Sequence, residues 1–132
     1  MMQVKDMFFY FKEYLRYSLR AKDEYSVHSP LIFNLYTKVK KRNIKEEITK
    51  YFGQSLVVQT EDYQTIKDKL RENNPIIIII NDIHKRSSLF SLWKRVLEKE
   101  EIVFASIDFF SCGIIVRNER LLRRQDYILK RK

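Results

Sequence analysis

The residues best suited to catalysis are Asp82 and His84, which follow the most apolar run of the sequence, Ile76–Ile80. A carboxylate and an imidazole placed together exchange protons, so both are candidate catalytic residues for acid–base work. They are too few for a usual metal site, which takes three or four protein ligands, and we predict no metal site. The alternative is structural: Asp82 accepts backbone hydrogen bonds and His84 belongs to an ordinary surface loop. The residue pattern alone favours this alternative.

A strand and a helix must position these two residues. The five isoleucines do not alternate with polar residues, which predicts a strand buried on both faces, as in the centre of a parallel sheet. In such sheets ligands bind beyond the carboxyl ends of the strands, where Asp82 and His84 would lie. Ser87 or Ser88 is predicted to cap the next helix, which runs to about Glu100 and whose N-terminus favours an anion.

Three helices are predicted before the first strand. Apolar residues recur at helical spacing over residues 5–22, which predicts a first helix with one inward face. A second helix is predicted to begin at Ser29-Pro30, a capping serine followed by a proline that lacks a donor where none is needed. A third, "IKEEITKYF", ends at Gly53. The residues of the first helix that are predicted to face inward are Phe8, Phe11, Leu15 and Leu19.

The remainder of the sequence alternates strands and helices. "SLVVQ" is a predicted strand, Thr60 caps the helix after it, "IIIIIN" and "IVFASIDFF" are the next strands, and "GIIVRN" returns antiparallel before a last strand, "DYILKR". We therefore predict a single α/β domain over residues 1–132, with a helical part (1–52) and an α/β part (53–132). Its small mixed sheet has parallel strands plus C-terminal antiparallel strands and is flanked by helices on both faces.

The composition limits where the protein works. A chain of 132 residues with 45% apolar and 33% charged residues has the profile of a soluble globular domain. Its single cysteine, Cys112, excludes an internal disulfide and indicates a reducing compartment. No apolar run approaches the about 20 residues that a membrane span needs, and the charged N-terminus is unlike a signal peptide. We therefore expect a cytoplasmic protein without a membrane span.

The net charge of +9 lies mainly near the two ends of the chain. Such an excess attracts polyanions, so a nucleic-acid-binding module is an alternative function, with Tyr36 and Tyr127 as stacking platforms for single strands. A solvated basic surface explains the same residues more simply, and no helix-turn-helix, zinc-finger or RNP pattern accompanies them. The candidate nucleic-acid-binding residues are Lys40, Lys41, Arg42, Arg123, Arg124 and Lys130.

Two separate motifs carry a resemblance to a known family. The first is "YLRYSLRAKDEYSVHSP", in which an aromatic helix precedes His28-Ser29-Pro30. The second is "NDIH", followed by a helix with Trp93, a strand that ends in "IDFF" and a glycine-led return strand that begins near Gly113. Together, over somewhat more than half of the chain, they resemble the class I, Rossmann-like S-adenosylmethionine-dependent methyltransferases.

The sequence departs from this family at the cofactor site. The family binds S-adenosylmethionine at a glycine-rich loop after the first strand, and an acidic residue after the second strand holds the ribose. Between Phe52 and the isoleucine strand this chain has one glycine, Gly53, and Gln59 stands where related enzymes often carry Asp. The resemblance therefore implies a truncated Rossmann-like methyltransferase fold that is inactive alone and needs no cofactor. The alternative is an active methyltransferase with a rearranged S-adenosylmethionine site.

A truncated sheet has consequences for partners. Deletion of its first half leaves an apolar edge, which invites pairing with another chain. We therefore predict a homodimer, or a protein partner that covers this edge. A membrane-surface role for the first helix is a further alternative, because bulky apolar residues at 7–11 precede Lys12, Arg16 and Arg20. Packing of this helix in the core or in a dimer explains those residues better.

Overall fold

The protein folds as four helices and five strands over the residues that the structure describes. The computed structural model describes residues 4–21, 36, 44–53, 56–72, 74–98, 102–118 and 124–129, and only the backbone of residues 4–6, 51 and 52. The predicted helix that begins at Ser29-Pro30 lies outside these residues. The elements are α1 (Val4–Arg20), α2 (Ile44–Phe52), β1 (Val57–Gln59), α3 (Tyr63–Arg71), β2 (Ile76–Asn81), α4 (Ser87–Leu97), β3 (Ala105–Asp108), β4 (Cys112–Arg117) and β5 (Gln125–Ile128).

The five strands form one mixed sheet in the order β1-β2-β4-β3-β5. β1 pairs with β2 in parallel, and β4 runs antiparallel to both of its neighbours, β2 and β3. The predicted small mixed α/β sheet is confirmed. The prediction that both C-terminal strands are antiparallel is wrong for β5, which pairs with β3 in parallel. Because β4 is flanked on both sides, the last strand cannot pair with it, and it pairs with the outer side of β3 instead.

Helices cover both faces of the sheet, and the isoleucines of β2 serve both faces. Ile77 and Ile79 belong to the core under α2, with Ile48 of that helix. Ile78 and Ile80 belong to the core under α3 and α4, together with Trp93. Side chains alternate between the faces of a strand, so a run of five isoleucines fits only a strand with a core on each side. The predicted burial of this strand on both faces is confirmed, but it is the second strand of the five and has a parallel neighbour on one side only.

The face of α1 that packs on the sheet is opposite to the face that the sequence predicts. The rings of Tyr10, Tyr14 and Tyr17 surround Phe110, with centroids 5.2, 5.3 and 5.2 Å from its ring. Glu13, between these tyrosines, is buried. Both faces of α1 have helical spacing, and the face with aromatic rings and a buried carboxylate is the one that packs. The residues predicted to face inward are exposed: Phe8 (73%), Phe11 (64%), Leu15 (51%) and Leu19 (86%).

The predicted C-terminal end of α2 is confirmed, and the predicted N-terminal cap of α3 is wrong. Gly53 follows α2 with a φ of +91°, the left-handed conformation that favours glycine, and its N–H donates to Thr49 O at 2.9 Å. The residue that caps α3 is Asp62 and not Thr60, because the Asp62 carboxylate accepts from both the backbone N–H and the hydroxyl of Thr65, at 3.2 and 2.6 Å. These hydrogen bonds, the side-chain one first, lower the pKa of Asp62.

The predicted serine cap of α4 is also wrong. The helix begins at Ser87, its N-cap is Arg86 without a side-chain hydrogen bond, and it ends at Leu97 rather than near Glu100. An aliphatic and aromatic face with buried Trp93 holds α4 on the sheet, so the helix forms without that cap. Within the described ranges, none of the four helices combines the length and the apolar character that crossing a bilayer requires.

We expect Gly113→Ala to lower the free energy of unfolding by about 1–3 kcal/mol, because it overpacks the contact between β4 and α4. A Cβ at this position would lie 2.6 Å from Trp93 Cε3 and 2.7 Å from Trp93 Cη2. Urea denaturation measures the change. The matched comparison repeats the substitution in a Trp93→Leu background, where the smaller side chain leaves room. An equal cost in both backgrounds would mean that the indole is not the cause.

Candidate functional site

His84 is the centre of a buried cluster of three ionisable side chains. Its Nε2 lies 2.5 Å from Asp108 Oδ2, and its Nδ1 lies 3.2 Å from Glu13 Oε1. All three residues are buried, with 2% of Glu13, 6% of His84 and 7% of Asp108 exposed. One imidazole therefore bridges a carboxylate on α1 and a carboxylate at the end of β3. We call these three residues the His84 cluster.

The sheet topology explains why these residues meet. β2 and β3 both run antiparallel to β4, so their carboxyl ends lie at the same edge of the sheet. His84 lies in the turn after β2, and Asp108 is the last residue of β3. α1 crosses this edge and brings Glu13 to the other side of the imidazole. The cluster thus joins the N-terminal helix to two strands that are far away in sequence.

Aromatic rings enclose the imidazole of His84. The ring of Phe110 stacks on it with a centroid distance of 5.1 Å and an angle of 5° between the planes, and Phe90 lies 5.3 Å away. The Phe110 N–H donates to Asp108 Oδ1 at 2.8 Å, which orients the carboxylate. Phe110 has a φ of +70°, an uncommon conformation for a bulky side chain. The backbone accepts this strain in a turn that places both the ring and the N–H against the cluster.

The cluster favours the charged form of His84. Burial by itself lowers the pKa of the imidazole, but the hydrogen bonds and negative charges of Asp108 and Glu13 outweigh burial and raise that pKa above its ordinary value. The guanidinium of Arg16 lies 3.5 Å from Glu13 Oε2. When His84 is protonated, its charge and that of the half-exposed Arg16 offset the charges of the two carboxylates.

A cavity of about 310 Å³ lies beside the His84 cluster, between α1, α4, β3 and β5. Apolar side chains, Trp93 and Leu97 among them, form part of its wall, and Ser106 donates to Asp126 Oδ1 at 2.5 Å in another part. Neither nitrogen of His84 is left for a ligand in this cavity, because both are bound to carboxylates. The geometry therefore favours a structural role for the imidazole, although in the interior and not in the surface loop that the sequence suggested.

Asp82 and His84 are not brought together. Asp82 is exposed, has a φ of +58°, and donates its N–H to Ser111 O at 2.7 Å. It lines a second cavity, of about 420 Å³, with Gln59 and Asn81 at the carboxyl ends of β1 and β2. The cavity beside the His84 cluster does not include Asp82. The two predicted catalytic residues thus face different parts of the molecule.

One of the candidate nucleic-acid-binding residues lies in the described part of the chain, and it is held internally. Arg124 stacks its guanidinium 3.9 Å from the centre of the Phe104 ring, and it donates to Leu97 O at 2.5 Å and to Asp126 Oδ1 at 3.0 Å. These contacts use the planar group that a phosphate would need. The other candidates, Lys40, Lys41, Arg42, Arg123 and Lys130, lie outside the described residues, as does His28-Ser29-Pro30.

The two tyrosines proposed as stacking platforms belong to the protein's own packing. Tyr36 is 1% exposed, and its ring lies 5.8 Å from that of Phe109 in the core. The prediction that it stacks on bases is therefore wrong. Tyr127 is half-buried against the same core, and its hydroxyl donates to Gln125 Oε1 at 2.7 Å.

Sequence reasoning missed Glu13 as a site residue. The predicted inward stripe of Phe8, Phe11 and Leu15 leaves Glu13 on another face of the first helix. The signal that identifies Glu13 is the second stripe, in which tyrosines stand one and four residues after it. Asp108 was part of the "IDFF" motif but was not assigned to a site. An acidic residue at the end of a buried strand is the signal that marks it.

Neither a metal-binding geometry within the described residues nor a related protein indicates a function for this site. In the part of the chain that the structure describes, no three His, Cys, Asp or Glu side chains are arranged to hold a metal ion. Comparison of the chain with protein-family models, with curated proteins and with solved structures gives no match. A function must therefore be argued from the geometry.

We expect the stability that His84 contributes to be greatest on the acidic side of its titration. The unfolded pKa is about 6.5 and the folded pKa is raised, so this stabilisation is fully present below the unfolded pKa and is lost as the pH rises through the folded one. Each unit by which the pKa is raised corresponds to about 1.4 kcal/mol. The measurement is the free energy of unfolding of wild type and His84→Gln between about pH 6 and about pH 9. A difference between them that does not shrink with rising pH would contradict the assignment.

Proposed function

We propose that this chain is a non-catalytic, methyltransferase-like protein that acts by associating with a second polypeptide along β1, in the simplest case with another copy of itself. The observation that carries the proposal is the position of β1. It is a three-residue strand at the margin of the described sheet, paired with β2 on one side. Its Val57 and Val58 are half-buried, each against a different core.

The backbone of β1 is suited to accept another strand. The Thr60 N–H donates to Ile79 O at 3.1 Å, toward β2. Because successive N–H groups of a strand point to opposite sides, Val58 also directs its N–H toward β2, and Val57 and Gln59 direct theirs away from it. A strand of a second chain would pair with those outward groups.

The contacts of the His84 cluster support the methyltransferase-like part of the proposal. The two motifs that carry the family resemblance meet there. Tyr14 and Tyr17 of the first motif contact Phe110 of the second, and Glu13, just before the first motif, binds His84 of "NDIH". The glycine-led return strand that the resemblance implied corresponds to β4, which begins at Cys112. Because these motifs pack against each other, they can stabilise the fold even in a chain that lacks the cofactor-binding strands of the family.

The non-catalytic part of the proposal is supported by the residues at the carboxyl end of β1. The cavity at the carboxyl ends of β1 and β2 is lined by Gln59, Asn81 and Asp82, with Lys45 and Glu46 from α2. The glycine-rich loop with which the family holds its cofactor has no equivalent in the sequence. The proposal therefore assigns this end of the sheet to association and not to methyl transfer.

We expect light scattering at micromolar concentration to give the mass of two chains for the wild type and of one chain for Gln59→Pro. Proline removes an N–H that points away from β2, so the substitution blocks the edge and leaves the β1–β2 pairing intact. Gln59→Ala, which shortens the side chain but keeps the N–H, should remain a dimer. Val58→Pro should instead destabilise the fold, because it removes an N–H directed at β2. A wild-type mass of one chain would refute self-association.

We expect neither S-adenosylmethionine nor S-adenosylhomocysteine to raise the melting temperature of the protein. A ligand at 100 times its dissociation constant stabilises the folded state by about 2.7 kcal/mol, an effect that a thermal-shift titration detects easily in a chain of this size. A clear shift would overturn the non-catalytic assignment. It would support the alternative, an active methyltransferase with a rearranged cofactor site.

A further inference from the structure

Helix α1 has an exposed apolar face that the proposed association along β1 does not use. Phe8, Phe11, Leu15 and Leu19, which we call the α1 stripe, are each at least half exposed. They lie on the side of the helix opposite Glu13 and Tyr17, which face the sheet. The helix has 17 residues, so at 1.5 Å per residue the stripe extends along most of a rod of about 25 Å. An apolar surface of this extent marks an interaction site.

A row of cations begins beside the α1 stripe. Lys12, Arg16 and Arg20 follow each other at intervals of four residues. Lys12 adjoins the stripe, and the row then turns around the helix, so that Arg16 and Arg20 also border the cavity beside the His84 cluster. All three are exposed, and Arg16 is also paired with Glu13. The surface of α1 therefore combines apolar side chains with adjacent positive charge.

This combination distinguishes between the surfaces that could cover α1. A second copy packed stripe against stripe would bring the same cationic row close to the first. An anionic lipid surface offers apolar acyl chains to the stripe and negative headgroups to the row. Because the buried face of α1 points the other way, the His84 cluster stays intact while the stripe is covered.

We propose that α1 binds the surface of an anionic lipid bilayer, with the α1 stripe inserted at the boundary between headgroups and acyl chains, and with Lys12, Arg16 and Arg20 against the headgroups. The helix lies in the plane of the interface and does not cross it. This site is separate from the β1 edge, so membrane binding and strand pairing are independent properties of the chain.

Sedimentation with vesicles tests the proposal. The wild type is expected to pellet with vesicles of phosphatidylcholine and phosphatidylserine, to remain in solution with phosphatidylcholine alone, and to be released by salt. The double variant Phe11→Ser/Leu19→Ser should lose at least about tenfold in binding. Lys12→Gln/Arg20→Gln should lose about fivefold for each charge removed. These positions are exposed, and circular dichroism checks that the fold is retained.

Two control variants show whether vesicle binding depends on the α1 stripe. Val103→Ser changes an apolar residue that is 40% exposed elsewhere in the chain, and it should bind vesicles as the wild type does. Gln59→Pro should also bind them, whether or not the wild type is a dimer. Absence of binding to anionic vesicles would overturn the proposal. So would a stripe variant that changes from the mass of two chains to that of one and binds vesicles undiminished, because the stripe would then be a protein interface.

Discussion

The bridge from Glu13 through His84 to Asp108 is the interaction on which the arrangement of the molecule depends. Three ionisable groups leave water together, which is unfavourable unless each finds a partner of opposite charge. Here the imidazole uses both nitrogens, and Arg16 supplies a further cation to Glu13. Removal of His84 would leave the buried carboxylate of Asp108 without its cationic partner. The cluster therefore determines which face of α1 meets the sheet, and with it which face remains outside.

The sheet supplies the rest of the stability through its two cores. β2 and β4 are buried on both faces, and they form the longest pairing of the sheet, six residues each. β1 is short and lies at the margin of the described sheet. The cores under α2 and under α3 and α4 are centred on β2, β4 and β3, so the packed interior depends little on β1. This distribution explains how a small α/β sheet has a packed interior.

Sequence reasoning was sufficient where a single pattern had one physical solution. A run of five isoleucines requires two cores, and Gly53 after a short helix fits a left-handed end; both predictions are confirmed. It failed where two sets of residues in one helix had the same helical spacing. α1 has two apolar stripes, and a carboxylate decided between them because its partner, His84, is 71 positions further along the chain. Local spacing carries no information about such a pair.

Other differences also arise from tertiary context. β5 pairs with β3 in parallel across a separation of 20 residues, and no local pattern encodes this pairing or its direction. Thr60 and Asp62 are both capping residues, and the hydrogen bonds of Thr65 decide in favour of Asp62. Asp82 and His84 are two positions apart in sequence, but the turn sends one outward and the other into the interior. Adjacent polar residues after a strand are therefore weak evidence for a joint active site.

The contact between Gly113 and Trp93 gives the molecule a built-in optical reporter. The chain contains one tryptophan, and its indole lies in the core against the backbone of β4. The emission wavelength of an indole depends on the polarity of its surroundings. The tryptophan fluorescence of this protein thus comes from a single site, where α4 packs on the sheet, and any event that separates these two layers shifts its emission wavelength.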